Sequence, residues 1–295
     1  MGKKKPLLNL VLITGGSSGI GLALAKKFAE LGSKIIIVGR NKDKLTRAMD
    51  EISRSFPDKS QEIIPLQADV SQHEIYIPLL MQTLDTVGVP DIVVNSAGIT
   101  KPAFFNDISI EEFRKIIEVN YLGTVATIKA TLPRMLERNS GHIVNISSVA
   151  GFIGTPGYTA YGASKFAIKG LTDALRLELL HTDVKVSIVY PPDTQTPMLE
   201  EENKIKPAVV KALSEAASPV SAEEVAQAIL AGIVKQQYVI APGKETALLH
   251  FLAGFLGWGP IYPIMDWMLR DAERKVASSP TKYAYNDVAN PNQRC

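Results

Sequence analysis

The chain has 295 residues, 46% hydrophobic and 21% charged, with Gly 21 and Pro 18; that composition supports a globular core and excludes disordered and collagen-like chains. Lys+Arg 32 against Asp+Glu 30 leaves a formal charge of +2, too small an excess to argue for a nucleic-acid surface. The one cysteine, Cys295, excludes an intramolecular disulfide and a thiolate metal cluster, which fits a reducing compartment, and His73, His142, His181 and His250 are scattered, so no metal is expected.

At the amino terminus, Met1-Gly2-Lys3-Lys4-Lys5-Pro6 offers no signal-peptide core, and Pro6 stands where a myristoylation motif needs Ser or Thr. Three lysines read as a solubilising start. Beyond them, short β-branched runs alternate with longer segments of helical period. Strand Leu8 to Ile13 precedes helix Gly19 to Leu31, strand Lys34 to Val38 precedes helix Lys42 to Ser55, and strands follow at Glu62 to Gln67 and Asp91 to Val94. Helix Ile110 to Glu137, strand His142 to Ile146, helix Ala160 to Leu180, strand Val184 to Val189, helix Ala222 to Val234 and strand Tyr238 to Ile240 complete the series. This alternation predicts an α/β fold: a doubly wound, Rossmann-type parallel sheet of about seven strands with helices on both faces, forming a single domain over residues 1–245.

A different segment follows at 246–270. From Ala247 to Met265 it has no full charge, but His250, Gly254, Gly257, Gly259, Pro260 and Pro263 would break or kink a spanning helix. Two tryptophans and a tyrosine favour an interface. A hydrophobic hairpin or amphipathic surface anchor is expected, with a subunit interface or a lid over an apolar pocket as the alternative. Residues 271–295 read as a loose polar tail.

Thr14-Gly15-Gly16-Ser17-Ser18-Gly19-Ile20-Gly21 joins the first strand to the first helix, where glycines admit a pyrophosphate to exposed N–H groups. Glycine-rich turns also serve merely to leave a strand, so the motif needs partners. The same residues spell Gly15-x-Ser17-x-Gly19, a nucleophile elbow, but a hydrolase of that type has strands before its elbow and an oxyanion loop that this chain lacks. The second strand ends Val38-Gly39-Arg40. An acid there would accept from a free ribose, whereas arginine suits a 2′-phosphate and points to NADPH, with Lys44 and Ser17 as further donors. A solvated strand-end arginine is the plain alternative. Asp69-Val70 can border the adenine, or can simply start a helix.

Tyr161 and Lys165 are four apart on a helix, hence on one face. A phenol has a reference pKa of about 10, and a cation beside it stabilises the phenolate, which makes proton transfer feasible. Ser147-Ser148 end the preceding strand, where a hydroxyl can donate to a developing oxyanion, although strand-end serines are commonly turn residues. All these features fall at the carboxyl ends of strands, where doubly wound folds bind ligands.

Taken together, Thr14-Gly15-x-x-x-Gly19-x-Gly21, Asp69-Val70, Asn95-Ser96-Ala97-Gly98, Asn120, Ser148 and Tyr161-x-x-x-Lys165 resemble the classical short-chain dehydrogenase/reductase family over residues 8 to about 240. The resemblance implies that Tyr161 is the general acid, Lys165 the ribose-holding and tyrosine-tuning cation, Ser148 the carbonyl donor and Asn120 the support of a water relay. It implies cofactor contacts from Gly15, Ser17, Ser18, Gly19, Ile20, Gly21, Arg40, Lys44, Asp69, Val70, Asn95, Ala97, Gly98, Tyr161, Lys165, Pro191, Thr194 and Thr196, and a homodimer or homotetramer.

Where the family commonly has Pro-Gly after the sixth strand, this chain has Tyr190-Pro191-Pro192-Asp193. Together with Glu200 to Pro207, that stretch resembles the branch of the family that reduces the C3 ketone of 3-ketosphinganine to sphinganine with NADPH, in sphingolipid synthesis. This implies a long-chain lipid ketone substrate and membrane-surface contact through 246–270. The implied place is a membrane with the active site facing the cytoplasm, the endoplasmic reticulum in a eukaryote, with a soluble cytoplasmic protein as the alternative. Reduction of another lipid or steroid ketone is the neighbouring functional reading, and serine hydrolysis through Ser17 a remote one.

Overall fold

Unbroken apolar runs form strands buried on both faces, and in the computed structural model, which describes residues 9–56, 62–214, 218–256, 259 and 261–277, the inner strands do so while the edge strand at 63–67 stays partly exposed. β1 (Leu10–Thr14), β2 (Lys34–Gly39), β3 (Ile63–Gln67), β4 (Ile92–Asn95), β5 (Gly141–Ile146), β6 (Val184–Val189) and the later β9 (Val239–Ile240) make one parallel sheet in the order β3-β2-β1-β4-β5-β6-β9. Alternate residues serve alternate faces. Val11, Ile13, Ile35, Ile37, Ile92 and Val94 join one core under α1 (Gly19–Glu30), α2 (Lys42–Ser53) and α9 (Ala222–Val234). Leu10, Leu12, Ile36, Val38 and Val93 join the other, with α3 (His73–Val87), α5 (Gly123–Glu137) and α6 (Thr159–Glu178). Strand order reverses between β1 and β4, and the crevice at their carboxyl ends is where such a sheet receives its ligand.

The expected strands are present with ends shifted by a residue or two; Leu8 lies outside the described residues. Four features differ from expectation. Helix α3 was not foreseen. The stretch predicted as one helix over 110–137 is α4 (Ile110–Ile117), a π-helical turn at Glu118–Leu122, then α5. After β6, a two-stranded ribbon of β7 (Thr194–Gln195) and β8 (Val220–Ser221) flanks α7 (Pro197–Ile205) and α8 (Ala208–Ser214). The carboxyl-terminal segment forms α10 (Lys244–Leu256) and α11 (Ile261–Ala277), so the 270/271 boundary falls inside a helix, and 278–295 lie outside the described residues. Among the described residues no helix is long and apolar enough to cross a membrane.

Leu249 and Ala253 of α10 and Met265 of α11 pack with Phe152, Ile153, Ile168, Ile188 and Tyr190, beside the loops that follow β5 and β6. The His250 ring stacks on Tyr190 at 5.0 Å and meets Phe152 edge-on at 5.1 Å. Their opposite surfaces expose Leu248, Phe251, Phe255, Ile264 and Trp267.

Candidate active site

Two glycines of the first turn leave no room for a side chain. Gly15 has φ +68°, and a Cβ there would lie 2.9 Å from the Ala97 backbone; one on Gly21 would lie 2.4 Å from the Gly15 carbonyl oxygen. Strand, turn and helix are thereby drawn close together. Ser18 precedes α1 in an extended conformation and its side chain does not cap the helix, so the first N–H groups are available to phosphate oxygens. The Thr196 methyl lies 3.0 Å from the Cβ position of Gly19, bringing the loop after β6 over the turn.

The Ser17 hydroxyl lies 3.1 Å from the Cβ position of Gly39, against the end of β2 and one residue before Arg40. Arg40 is half exposed, its guanidinium 3.7 Å from Asp69. Burial alone would raise the Asp69 pKa, but the Ser71 hydroxyl and backbone N–H donate to it at 2.7 and 3.0 Å, and with Arg40 they hold it below the ordinary carboxylate value. Arg40 and Asp69 border one cleft, whereas Lys44 lines another with Ser17, Ser18 and Gly19. The two cations therefore flank the expected phosphate position from different clefts. Val70 is buried against Gly123, so its side chain belongs to the core.

At the end of β5 the two serines separate in role. Ser147 is buried and donates to the Lys165 carbonyl at 3.0 Å, a structural bond. Ser148 Oγ accepts from the Ala150 N–H at 3.1 Å and lies within hydrogen-bonding reach of the Tyr161 phenol. Its hydroxyl proton remains available to an acceptor. Lys165 lies 5.5 Å from the centre of the Tyr161 ring and donates to the Ile146 carbonyl at 2.8 Å. Burial pushes Lys165 down to about 8. Burial, then the charge of Glu202, raises Tyr161 above the ordinary phenol value against the opposing Ser148 bond.

Asn120 sits in the π turn with its side chain fully engaged. Oδ1 accepts from Ile99 N–H at 2.8 Å; Nδ2 donates to the Ile99 carbonyl at 3.0 Å and to Ser164 Oγ at 2.9 Å. It thus holds the loop after β4 against α6, and the Cβ position of Gly98 lies 3.4 Å from Asn120 Oδ1 and 3.8 Å from Lys165 Nζ. Its main-chain carbonyl accepts from the Thr124 hydroxyl at 2.9 Å, and a carbonyl oxygen has a second lone pair that can receive a water. Ala97 is fixed by its N–H bond to Thr14 Oγ1 at 3.2 Å. Asn95 differs: its side chain donates to Asn145 at 2.8 Å and Asn145 donates to Thr172 at 2.9 Å, so it joins β4, β5 and α6 inside the sheet.

In the loop after β6, the Pro191 carbonyl accepts from Val149 N–H at 3.1 Å and Thr194 donates to the Pro192 carbonyl at 2.8 Å. Thr196 caps α7, accepting from Leu199 N–H at 3.3 Å. This helix carries a group that the sequence reading missed. Glu202 is buried, accepts from the Tyr158 hydroxyl at 2.8 Å and lies 3.4 Å from Lys206. The Tyr158 ring meets Tyr161 edge-on at 5.9 Å. Glu and Lys four apart read in sequence as a surface pair; only the apolar neighbours of α7 hint otherwise.

Residues 9–207 match the short chain dehydrogenase family. The chain belongs to that family. This short-chain dehydrogenase is 37% identical to the 3-ketodihydrosphingosine reductase of Bos taurus over 257 residues, 87% of this chain and 77% of that one. In three dimensions it is similar to levodione reductase, with TM-score 0.74 and 27% identity over 81% of this chain and 98% of that one. A short-chain dehydrogenase from Sphingobium yanoikuyae in complex with NADPH gives TM-score 0.72 and 27% identity over 94% of this chain and 97% of that one.

The short-chain dehydrogenase is an oxidoreductase using a nicotinamide cofactor, and its glycine turn fits one, since the first N–H groups of α1 carry no side-chain cap and stand ready for a diphosphate. The hydrolase alternative finds no support. Ser17 rests against β2, while His142 bonds Ser187 at 2.7 Å and His250 stacks on Tyr190.

Proposed function

We propose that this short-chain dehydrogenase reduces the C3 ketone of 3-ketosphinganine to the alcohol of sphinganine with NADPH. The observation that carries the chemistry is the convergence of Ser148, Tyr161 and Lys165 at the carboxyl end of β5. The substrate follows from the similarity to the bovine 3-ketodihydrosphingosine reductase. The choice of NADPH is supported by Arg40, where a free ribose would call for an acid.

The backbone of Gly15, Ser18, Gly19, Ile20 and Gly21 receives the diphosphate. Arg40, Lys44 and Ser17 hold the 2′-phosphate, Asp69 and the main chain of Val70 border the adenine, and main-chain atoms of Asn95, Ala97 and Gly98 line the floor. Lys165 and Tyr161 hold the nicotinamide ribose, and Pro191, Thr194 and Thr196 face the nicotinamide end. When bound, the reduced nicotinamide supplies the hydride that C3 accepts.

Ser148 donates to the ketone oxygen, and Tyr161 transfers its phenolic proton to that oxygen as negative charge develops there. The raised pKa keeps Tyr161 protonated at neutral pH, the state a general acid needs. The Lys165 ammonium, still charged below about 8, stabilises the phenolate left behind. Water held at the Asn120 carbonyl returns the proton. A long alkyl chain favours a membrane-surface location, and the apolar side chains exposed on α10 and α11 support one.

The test is NADPH oxidation with 3-ketosphinganine in detergent or vesicles, beside NADH and a panel of steroid and aliphatic ketones. Selective turnover of the sphingoid ketone with NADPH is expected, with Tyr161→Phe binding NADPH but failing to turn over. Turnover of the other ketones only would remove the substrate assignment, and undiminished turnover by Tyr161→Phe would remove the mechanism.

A further inference from the structure

A charged cluster, buried at Glu202 and Lys206 and open to solvent at Asp193, borders the proposed general acid and has no part in the mechanism above. The Lys206 side chain is fully enclosed, with Nζ 3.4 Å from Glu202 Oε2, 3.7 Å from Asp193 Oδ2 and 3.4 Å from Ser214 Oγ. Tyr158 donates to the same Glu202 oxygen at 2.8 Å, and its ring lies edge-on to Tyr161. Two carboxylates thus share one lysine. Asp193 faces solvent, but Glu202 is buried and the one cation beside it is shared with Asp193, so the buried carboxylate is incompletely compensated, which is costly. It also opposes the chemistry, because the charge of Glu202 disfavours the phenolate that Tyr161 must become.

A cation that arrives with the substrate resolves both difficulties. The ketone proposed above carries an amino group on the carbon next to its carbonyl carbon, and at neutral pH that amine is an ammonium. A carboxylate one aromatic ring away from the proton donor is placed to meet it. The contacts of Glu202 with Tyr158 and Lys206 both fall on Oε2, which leaves Oε1 to accept from a substrate N–H.

We infer that Glu202, with Asp193 behind Lys206, forms the subsite for the protonated 2-amino group and selects amino ketones over plain ketones. Binding brings the cluster to neutrality and cancels the opposition of Glu202 to the phenolate, so the ammonium assists proton transfer as well as docking. The inference rests on the substrate reading above.

The experiment compares 3-ketosphinganine with the same hydroxyketone bearing hydrogen in place of the amino group, using NADPH, the full chain, one detergent and a pH of about 7, where the amine is protonated. Wild-type kcat/KM favours the amino ketone by about tenfold to a hundredfold, the range of a hydrogen bond to a charged partner. In Glu202→Gln that ratio collapses towards unity, and in Glu202→Asp it is partly restored. If both substrates lose equally in Glu202→Gln and the ratio is kept, Glu202 only supports α7 and the inference is overturned while the proposed function stands. The wild-type ratio needs no variant, and a value near unity overturns the inference by itself. Failure of the wild type to reduce either compound, with other ketones reduced, removes the substrate reading and the subsite together.

Discussion

Lys165 holds its charge in the interior against its own solvation. Its pKa falls from 10.5 to about 8 on folding, through burial. Between those values the unfolded chain binds more protons than the folded one, so stability rises with pH across that window, and at neutral pH the buried ammonium is a destabilising element. Lys165→Met should abolish turnover, yet its melting temperature at pH 7 should be unchanged or higher by about 2–4 °C, the shift expected for 1 kcal/mol in a domain of this size. A large fall in calorimetry would mean that the bond to the Ile146 carbonyl outweighs the desolvation. Arg40 makes the opposite case, being half exposed with its guanidinium 3.7 Å from Asp69. Arg40→Ala should raise the Kd for NADPH by about tenfold or more while changing that for NADH by less than about threefold, read by cofactor fluorescence; equal losses would remove the phosphate role. At this scale the sequence was informative about type and poorer about roles. Ser147 and Ser148 are chemically alike, and only packing turns one into the α6 backbone and the other towards Tyr161.

The elements impose their own constraint where β1, the glycine turn and α1 meet. Adding a methyl at Gly21 sets it 2.4 Å from the Gly15 carbonyl, and backbone on backbone has nowhere to yield. Gly21→Ala should therefore cost about 1–3 kcal/mol of stability by denaturant unfolding and weaken cofactor binding beyond that loss. Unchanged binding would show that the turn has slack. This turn was legible because glycine spacing reports backbone demands directly. Helix α3 was not, because Pro78 interrupts a segment whose apolar residues run nearly together. The π turn inserts one residue into an otherwise helical pattern, which leaves no compositional mark although it sets the position of Asn120. The two-residue strands β7 and β8 are too short for any period to register.

Among the described residues, the two cores of the sheet hold most of the buried apolar side chains and a smaller cluster lies beneath α10 and α11, but those carboxyl-terminal helices keep a surplus outside. Leu248, Phe251 and Phe255 recur at three- and four-residue spacing along α10, with Phe251 and Phe255 stacked at 6.0 Å; Ile264 and Trp267 are exposed on α11. The other side of α10 is packed on the loops that border the site, so a surface that met lipid here would place bilayer next to the substrate cleft. A soluble metabolite would give no reason for such an arrangement, whereas a long-chain ketone dissolved in a bilayer would. Each large aromatic or aliphatic side chain removed from water contributes about 1.5–3 kcal/mol. Combining Phe251→Ser, Phe255→Ser and Trp267→Ser should therefore lower partitioning onto neutral phospholipid vesicles by about a hundredfold or more in a sedimentation assay. The variant should retain turnover of a short, water-soluble ketone while losing turnover of the vesicle-borne substrate. Equal partitioning of wild type and variant would remove the membrane role. If light scattering then found the variant in a smaller oligomer than the wild type, these side chains would belong to a subunit interface instead.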